Sequence, residues 1–226
     1  MKVPFVDLGA QQLEIDAEVR LGLDGVFAAT AFVGGPDVEL FEQEYASATR
    51  VAHCVGVANG TDALELALRA VGVTTGAEVI IPANTFIATA EAVSRIGAHP
   101  VLVDVDPDHL LIDPDAVAAA ISPRTGAIVP VHLFGQTAPV ERLRDIAAPA
   151  GIPIVEDAAQ SQGAERHDRP SGGLGVVAAT SFYPGKNLGA AGDAGAVTTD
   201  DPEIARTVRV LAAHGSPAKY VHELVG

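Results

Sequence analysis

The chain has 226 residues, of which 48% are apolar, and its mean hydropathy is +0.28. This is enough apolar material for a sizeable buried core, in one large domain or two small ones, so the chain is not intrinsically disordered. Fourteen basic residues against 29 acidic ones leave a formal net charge of −15. Because that charge repels nucleic-acid backbones and anionic membranes alike, we exclude a role in binding DNA or RNA.

The cysteine and histidine content argues against disulfides and metals. The chain has one cysteine, Cys54, and therefore no internal disulfide. Its seven histidines show neither an HExxH pattern nor any Cys/His pairing with ligand spacing, so we expect no metal. Residues 1–8 lack the apolar region of a signal peptide, and no apolar run approaches the roughly 18 residues of a spanning helix, which favours a cytoplasmic protein.

The N-terminal part differs in pattern from the rest. Apolar residues around Phe27 and Phe32 lead into a Gly-Gly-Pro turn at 34–36, and the spacing from Val38 to Tyr45 predicts an amphipathic helix. We therefore predict that residues 1–52 form an arm and helices that pack on a large domain comprising residues 53–226.

From residue 53 onward, short β-branched runs alternate with helical patterns, which is typical of βαβ units. The sequence predicts an α/β fold with a mostly parallel, seven-stranded sheet and helices on both faces. The predicted strands are 53–57, 78–81, 100–105, 127–131, 152–156, 179–182 and 194–198. The predicted helices are 61–71, 86–97, 114–121, 138–148 and 202–213.

The last residues do not complete another element. Residues 214–217 are typical of a loop, and residues 221–226 stop without a full strand or helix. We therefore expect the large domain to be incomplete at its C-terminus.

Lysine is rare, which narrows the candidates for amine chemistry to Lys2, Lys186 and Lys219. Lys186 follows a strand-like stretch and a Pro-Gly turn, a setting that can hold an ammonium group in a pocket, lower its pKa by desolvation and make it nucleophilic. The alternative is an ordinary solvated loop lysine.

Asp157 follows the predicted strand 152–156, and open α/β sheets bind ligands at the carboxyl ends of their strands. A buried carboxylate there needs a positive partner, such as a protonated pyridine nitrogen. Gln160 lies three residues on and could hydrogen-bond a ring hydroxyl. The alternative is that Asp157 only caps the next segment.

A phosphate site is indicated at residues 59–62, where a strand leads into a helix through Gly60 and Thr61. Free N–H groups and the helix dipole favour an anion at this position, and Ser181 offers a second donor. The alternatives are a simple helix cap and a satisfied strand-end hydroxyl. Phe86 could stack on an aromatic ring or belong to the core, and His132 is expected to be structural.

Four motifs occur in this order: NGTDAL at 59–64, PANTF at 82–86, VEDAAQ at 155–160 and TSFYPGKNLGA at 180–190. Together they resemble the DegT/DnrJ/StrS sugar-aminotransferase family, and the resemblance extends from residues 3–5 to the last residue.

The resemblance implies a pyridoxal 5′-phosphate enzyme with the aspartate-aminotransferase fold. It implies transfer of an amino group from glutamate or glutamine to a keto sugar, usually nucleotide-linked, in amino-deoxysugar, antibiotic or cell-surface polysaccharide biosynthesis. Family members are homodimers with active sites at the interface. Members are also longer, so the resemblance implies that a small C-terminal domain is missing here.

Carried over by position, Lys186 looks like the lysine that forms a Schiff base with the cofactor and moves protons. Asp157 resembles the partner of the pyridine nitrogen, and Gln160 resembles the contact to the ring oxygen. The remaining matches are the phosphate-binding Gly60, Thr61 and Ser181 and the ring-stacking Phe86.

Two alternatives stay open at this point. One is a non-catalytic or regulatory remnant of the family. The other is a keto-deoxysugar dehydratase, a branch that replaces the lysine with histidine; Lys186 argues against it.

Overall fold

The computed structural model describes residues 3–218 and 220–226, so Lys2 and Lys219 lie outside the described residues. The helices are α1 (Leu8–Ala29), α2 (Pro36–Thr49), α3 (Gly60–Ala70), α4 (Ile87–Arg95), α5 (Pro114–Ala120), α6 (Val140–Ala147) and α7 (Pro202–Ala212). The strands are β1 (His53–Val57), β2 (Glu78–Pro82), β3 (His99–Val103), β4 (Thr125–Ile128), β5 (Val155–Asp157), β6 (Glu165–Arg166), β7 (Arg169–Pro170), β8 (Val177–Ser181) and β9 (Gly195–Thr199).

The main sheet has the order β3-β2-β4-β5-β8-β9-β1. Two parallel bridges, Ile128 with Ile154 and Val131 with Asp157, join the three-stranded part to the four-stranded part between β4 and β5. β9 runs antiparallel to both of its neighbours, and the other pairings are parallel. The predicted mostly parallel sheet of seven strands is therefore confirmed.

Both faces of this sheet are covered, as the apolar runs in its central strands require. On β2, Val79 and Ile81 belong to one core cluster with α3, α4 and α7, whereas Ile80 belongs to a second cluster with α5 and α6. A third cluster places Tyr45 of α2 against Phe182 and the edge of the sheet.

Several helices begin where the sequence places a capping residue. The side chains of Asn59, Asp113 and Asp201 accept hydrogen bonds from the first turns of α3, α5 and α7. These bonds satisfy N–H groups that a helix start leaves unpaired, so they fix where each helix begins at the sheet edge.

The N-terminal helices differ in how they meet the sheet. α2 buries Tyr45 and Ala46 against it, whereas α1 has no buried residue and leaves Leu13 82% exposed. The predicted division at residues 52 and 53 stays a prediction.

The element boundaries shift slightly from those predicted. The strand predicted at 152–156 begins at Val155, because Pro153 has no N–H to donate to a ladder. The bounds of α1, within the arm and helices predicted at residues 1–52, were not predicted, and neither was the short hairpin β6–β7. Within the described ranges, none of the helices combines the length and apolarity needed to cross a bilayer.

Candidate active site

A pocket of about 750 Å³ opens at the carboxyl ends of β1, β2, β5 and β8. Its volume is in the range of small-molecule sites, and its position is where α/β sheets bind ligands. All the site residues predicted from the sequence line it: Gly60, Thr61, Phe86, Asp157, Gln160, Ser181 and Lys186. Their individual roles stay predictions.

Asp157 ends β5, and its carboxylate is held in place from two sides. Oδ2 accepts a hydrogen bond of 2.7 Å from the Thr89 hydroxyl, and Oδ1 accepts one of 3.2 Å from the backbone N–H of Ala159. The bond from Ala159 is the capping interaction that the sequence offered as the alternative role of Asp157. Asp157 makes this bond and also lines the pocket. Burial raises the pKa of Asp157, and these bonds together with the charge of Lys186 only partly oppose it.

The N-terminus of α3 supplies unpaired N–H groups to the pocket. Asn59 Oδ1 accepts from the N–H of Asp62 at 2.9 Å, so the cap is already satisfied at the third helical position. Gly60 and Thr61, the first two residues of the helix, both line the pocket. Their N–H groups have no carbonyl partner within a helix and carry the positive end of its dipole.

Close backbone approach builds this corner of the pocket. A Cβ atom on Gly60 would lie 2.5 Å from Cβ of Ser181, at the end of β8. A Cβ atom on Gly195, at the start of antiparallel β9, would lie 2.5 Å from the carbonyl of Asn59. Glycine at both positions therefore brings the helix start and the Ser181 hydroxyl together across β9.

Lys186 lies in the loop after β8 and is half-buried. Its backbone N–H donates to the carbonyl of Tyr183 at 2.8 Å, which closes a turn through the Pro-Gly pair. Asn187 donates from Nδ2 to the backbone carbonyl of Gln162 at 2.8 Å, and Gln162 Nε2 donates to the Ser181 carbonyl at 2.9 Å. These bonds tie the lysine loop to the segment that follows Asp157.

Gln160 and Phe86 occupy the walls of the pocket. Gln160 Oε1 accepts from the backbone N–H of Phe134 at 2.7 Å, so its amide NH₂ is the end able to donate to a ligand oxygen. Phe86 caps α4 and remains 66% exposed. A core role for Phe86 is therefore wrong.

His132 has no exposed surface and takes part in structural hydrogen bonds, as expected. Its Nδ1 accepts from the N–H of Ala138 at 3.0 Å, so the ring proton lies on Nε2 and is donated to Glu156 at 2.8 Å. Glu156 also accepts three backbone N–H groups of residues 172–175. These hydrogen bonds to Glu156 hold the loop at residues 172–175 against β5.

Sequence reasoning missed several residues at the pocket, namely Thr85, Thr89, Glu91 and Arg95. Thr85, Glu91 and Arg95 line the pocket, whereas Thr89 reaches it through Asp157. Arg95 pairs with Asp62 at 2.9 Å and also with Glu65 on α3. The available signal was the four-residue spacing within two pairs, Thr85 with Thr89 and Glu91 with Arg95, although Thr85 itself precedes α4.

The fold and the pocket together define the class: this is the large-domain fold of pyridoxal-phosphate-dependent aminotransferases. The chain belongs to the DegT/DnrJ/EryC1/StrS aminotransferase family, whose model matches residues 14–226.

Two curated relatives and one solved structure are particularly similar. The erythromycin biosynthesis sensory transduction protein EryC1 of Saccharopolyspora erythraea is 49% identical over 226 residues, which is 100% of this chain and 62% of that protein. The dTDP-3-amino-3,4,6-trideoxy-alpha-D-glucose transaminase of Streptomyces venezuelae is 48% identical over 225 residues, covering 100% and 59%. The crystal structure of S. venezuelae DesV in complex with a ketimine intermediate matches with 49% identity and a TM-score of 0.97, covering 100% and 61%.

The chain thus spans about 60% of the length of these relatives. The match in fold extends over the whole of the chain, so the site residues discussed above all lie inside it.

Proposed function

We propose that this chain forms the cofactor-binding part of a pyridoxal-phosphate-dependent sugar aminotransferase. The observation that carries the proposal is that an amine, a buried carboxylate and the N-terminus of a helix line one pocket of about 750 Å³. Segments between 59 and 186 supply these groups, and nothing in local sequence brings them together.

The residues present fit pyridoxal phosphate. The N–H groups of Gly60 and Thr61 and the hydroxyl of Ser181 share one corner of the pocket, because the missing Cβ of Gly60 lets Ser181 approach the helix start. Asp157 would hold the ring nitrogen, and the NH₂ of Gln160 would donate to the ring oxygen. When bound, the cofactor supplies an electron sink for cleavage of bonds at the amine-bearing carbon.

The protein's own groups then perform three tasks. Asp157, as a carboxylate, keeps a proton on the ring nitrogen, because a buried negative charge stabilises a neighbouring positive one. Lys186 would hold the cofactor through its amine and, when freed by a substrate amine, would accept and return the proton of the substrate carbon. Phe86 would shield the cofactor from water.

We also infer the remaining features that the resemblance implies. The amino donor is glutamate or glutamine, the acceptor is a nucleotide-linked keto sugar, and the enzyme works in the cytoplasm. It is a homodimer, a proposal supported by exposed apolar side chains beside the pocket, including Phe134 at 85% and Tyr183 at 58%. Light scattering of the purified protein tests the dimer directly.

The decisive experiment is covalent trapping of the cofactor. The protein is incubated with pyridoxal phosphate, reduced with borohydride, digested and analysed by mass spectrometry. We expect the reduced adduct on Lys186, and the Lys186→Ala variant should give none while the Lys219→Ala control labels normally. Labelling of Lys219 or Lys2 instead, or no labelling of the parent, would contradict the proposal.

The same experiment separates the alternatives. One alternative is a non-catalytic or regulatory remnant, and one relative is named a sensory transduction protein. Such a remnant would bind no cofactor. A dehydratase of this family is disfavoured by Lys186 itself, and trapping at this residue would argue further against it.

A further inference from the structure

The Asp157 carboxylate lines the pocket directly, and it is also linked to the pocket wall through the hydroxyl groups of two threonines. Thr89, on the first turn of α4, is 1% exposed and donates from Oγ1 to Asp157 Oδ2 at 2.7 Å. Thr85 Oγ1 lies 2.7 Å from Thr89 Oγ1, and Thr85 lines the pocket. Two hydroxyl groups therefore run in series between the pocket wall and the carboxylate.

The proton order along this series follows from simple valence. An ionised carboxylate only accepts, so the single proton of Thr89 must point at Asp157. The oxygen of Thr89 is then an acceptor towards Thr85, and the proton of Thr85 must point at Thr89. Each hydroxyl thus polarises the next one in the direction of the carboxylate.

We propose that Thr85 and Thr89 form a hydroxyl relay that positions the Asp157 carboxylate and favours its ionised form. Thr89 is the positioning residue, because it contacts Asp157 and lies outside the pocket lining. Thr85 strengthens the bond that Thr89 donates. The meaning of the relay for catalysis rests on the proposed function, whereas its effect on the Asp157 proton does not.

Other groups also act on this carboxylate and have to be held constant. Lys186 approaches from the loop after β8, and its charge favours the ionised form. His132 approaches from the loop after β4 with its single ring proton directed at Glu156, so it is a neutral neighbour of Asp157. The backbone N–H of Ala159 donates to Oδ1. Burial within the sheet opposes all of these contributions.

The test is the titration of Asp157 in the protein without added cofactor, followed by carbon-13 NMR of its carboxyl group and assigned with Asp157→Asn. In Thr89→Val, which keeps the shape and removes the donor, the midpoint should rise by about one pH unit. Thr89→Ser, which restores a hydroxyl, should return it towards the parent value. Thr85→Val should raise it by a smaller amount.

A matched control is Thr49→Val, because Thr49 is also buried and its hydroxyl donates to the Tyr45 carbonyl on α2. It should leave the Asp157 midpoint unchanged. An unchanged midpoint in Thr89→Val, or an equal shift in Thr49→Val, would overturn the relay. If Thr89→Val does not fold, the absence of any shift in Thr85→Val has the same meaning.

Because no cofactor is present, this result is independent of the trapping experiment. A protein that fails to bind pyridoxal phosphate can still show the shifted titration, and a protein that binds it can still lack the relay.

Discussion

At the scale of single residues, close packing determines which residue can stand at position 60, in the proposed phosphate site. Gly60 and Ser181 stand so close that a side chain on the glycine overlaps the serine, including its backbone. Rotating a flexible side chain cannot relieve an overlap with backbone atoms, so any larger residue must displace α3 or β8. The glycine is therefore required by the approach of two segments, and its own dihedral angles are unremarkable for an ordinary residue.

We expect Gly60→Ala to weaken pyridoxal phosphate binding at least tenfold and to lower the free energy of unfolding by about 2 kcal/mol, as overpacking typically does. Cofactor titration and urea unfolding measure the two effects. Gly22→Ala is the control, because nothing lies within 4 Å of a Cβ atom there and alanine favours a helix. Parent-like cofactor affinity in Gly60→Ala would contradict the phosphate assignment.

The buried Glu156 gives a pH-dependent prediction. Burial raises its pKa, but the His132 bond and the backbone N–H groups of Gly175 and Gly172 outweigh it, so the pKa lies below the ordinary 4.5. A depressed pKa means that the ionised form stabilises the fold above about pH 4.5, and that this stabilisation is lost as the pH falls below that value.

Glu156→Gln should therefore cost about 3 kcal/mol at pH 7, because an amide turns a donor towards groups that are themselves donors. The difference in unfolding free energy between parent and variant should shrink as the pH falls below 4.5. Urea unfolding across pH measures it, with the exposed Glu44→Gln as control. A difference that is constant with pH would show that Glu156 is not ionised in the fold.

At the scale of elements, one ion pair joins three of them. Glu42 of α2 accepts from Arg209 of α7 through both carboxylate oxygens, and one of them also accepts the N–H of Gly56 on β1 at 2.7 Å. Arg209 donates in addition to the carbonyl of Cys54 at 3.0 Å. Helices from opposite faces are thus linked around the edge strand.

Arg209→Leu should lower the free energy of unfolding by about 2 kcal/mol, because it leaves the largely buried Glu42 without its cation. Burial also raises the pKa of the Cys54 thiol to about 12, so labelling of this single cysteine requires local opening and should accelerate in the variant. Arg20→Leu is the control, since its pair with Asp16 is exposed to solvent and contributes little to stability. Equal losses in both variants would contradict a special role for Arg209.

The sequence predicted elements well where burial sets the pattern. The strand around Ile80 is apolar on both sides, and the sheet buries both of its faces, so the strand and its parallel setting follow from one observation. The bounds of α1 within the predicted arm and helices were not given, because its apolar residues, such as Leu13 and Leu21, do not form a buried stripe.

The sequence predicted the site residues that follow strands, but not the contacts that depend on how helices and strands pack. Lys186 and Asp157 stand out by rarity and by position after strands, and strand ends meet at one edge of a parallel sheet. The contact of Thr89 with Asp157 could not be predicted, because it depends on how α4 is rotated on the sheet. The same holds for Gly60 and Ser181, whose meeting depends on strand order across β9.

At the scale of the whole molecule, the N-terminal helix stands apart from the core. α1 has no buried residue, whereas the sheet and its six other helices form three continuous core clusters. The residues before α2 therefore contribute little to the free energy of unfolding of the monomer.

We expect the double variant Leu13→Lys/Leu21→Lys to change the free energy of unfolding by less than about 0.5 kcal/mol, since both side chains are more than three-quarters exposed. It should also lower the fluorescence of a bound hydrophobic dye. Leu68→Ala, in the main core, is the contrasting control and should cost about 3 kcal/mol. A loss above about 1 kcal/mol in the double variant would instead indicate that α1 packs on the large domain.

The pairing of β1 with β9 determines when the protein can first hold its ligand. β1 ends at Val57 and β9 begins at Gly195, so a ribosome adding about 5–20 residues per second needs on the order of ten seconds to produce the partner of the first strand. The helix start at Gly60 emerges early but meets Ser181 only after that delay. If the pocket takes pyridoxal phosphate as proposed, the cofactor can bind only after β9 has been synthesised, so it cannot act as a template for the strands made before β9.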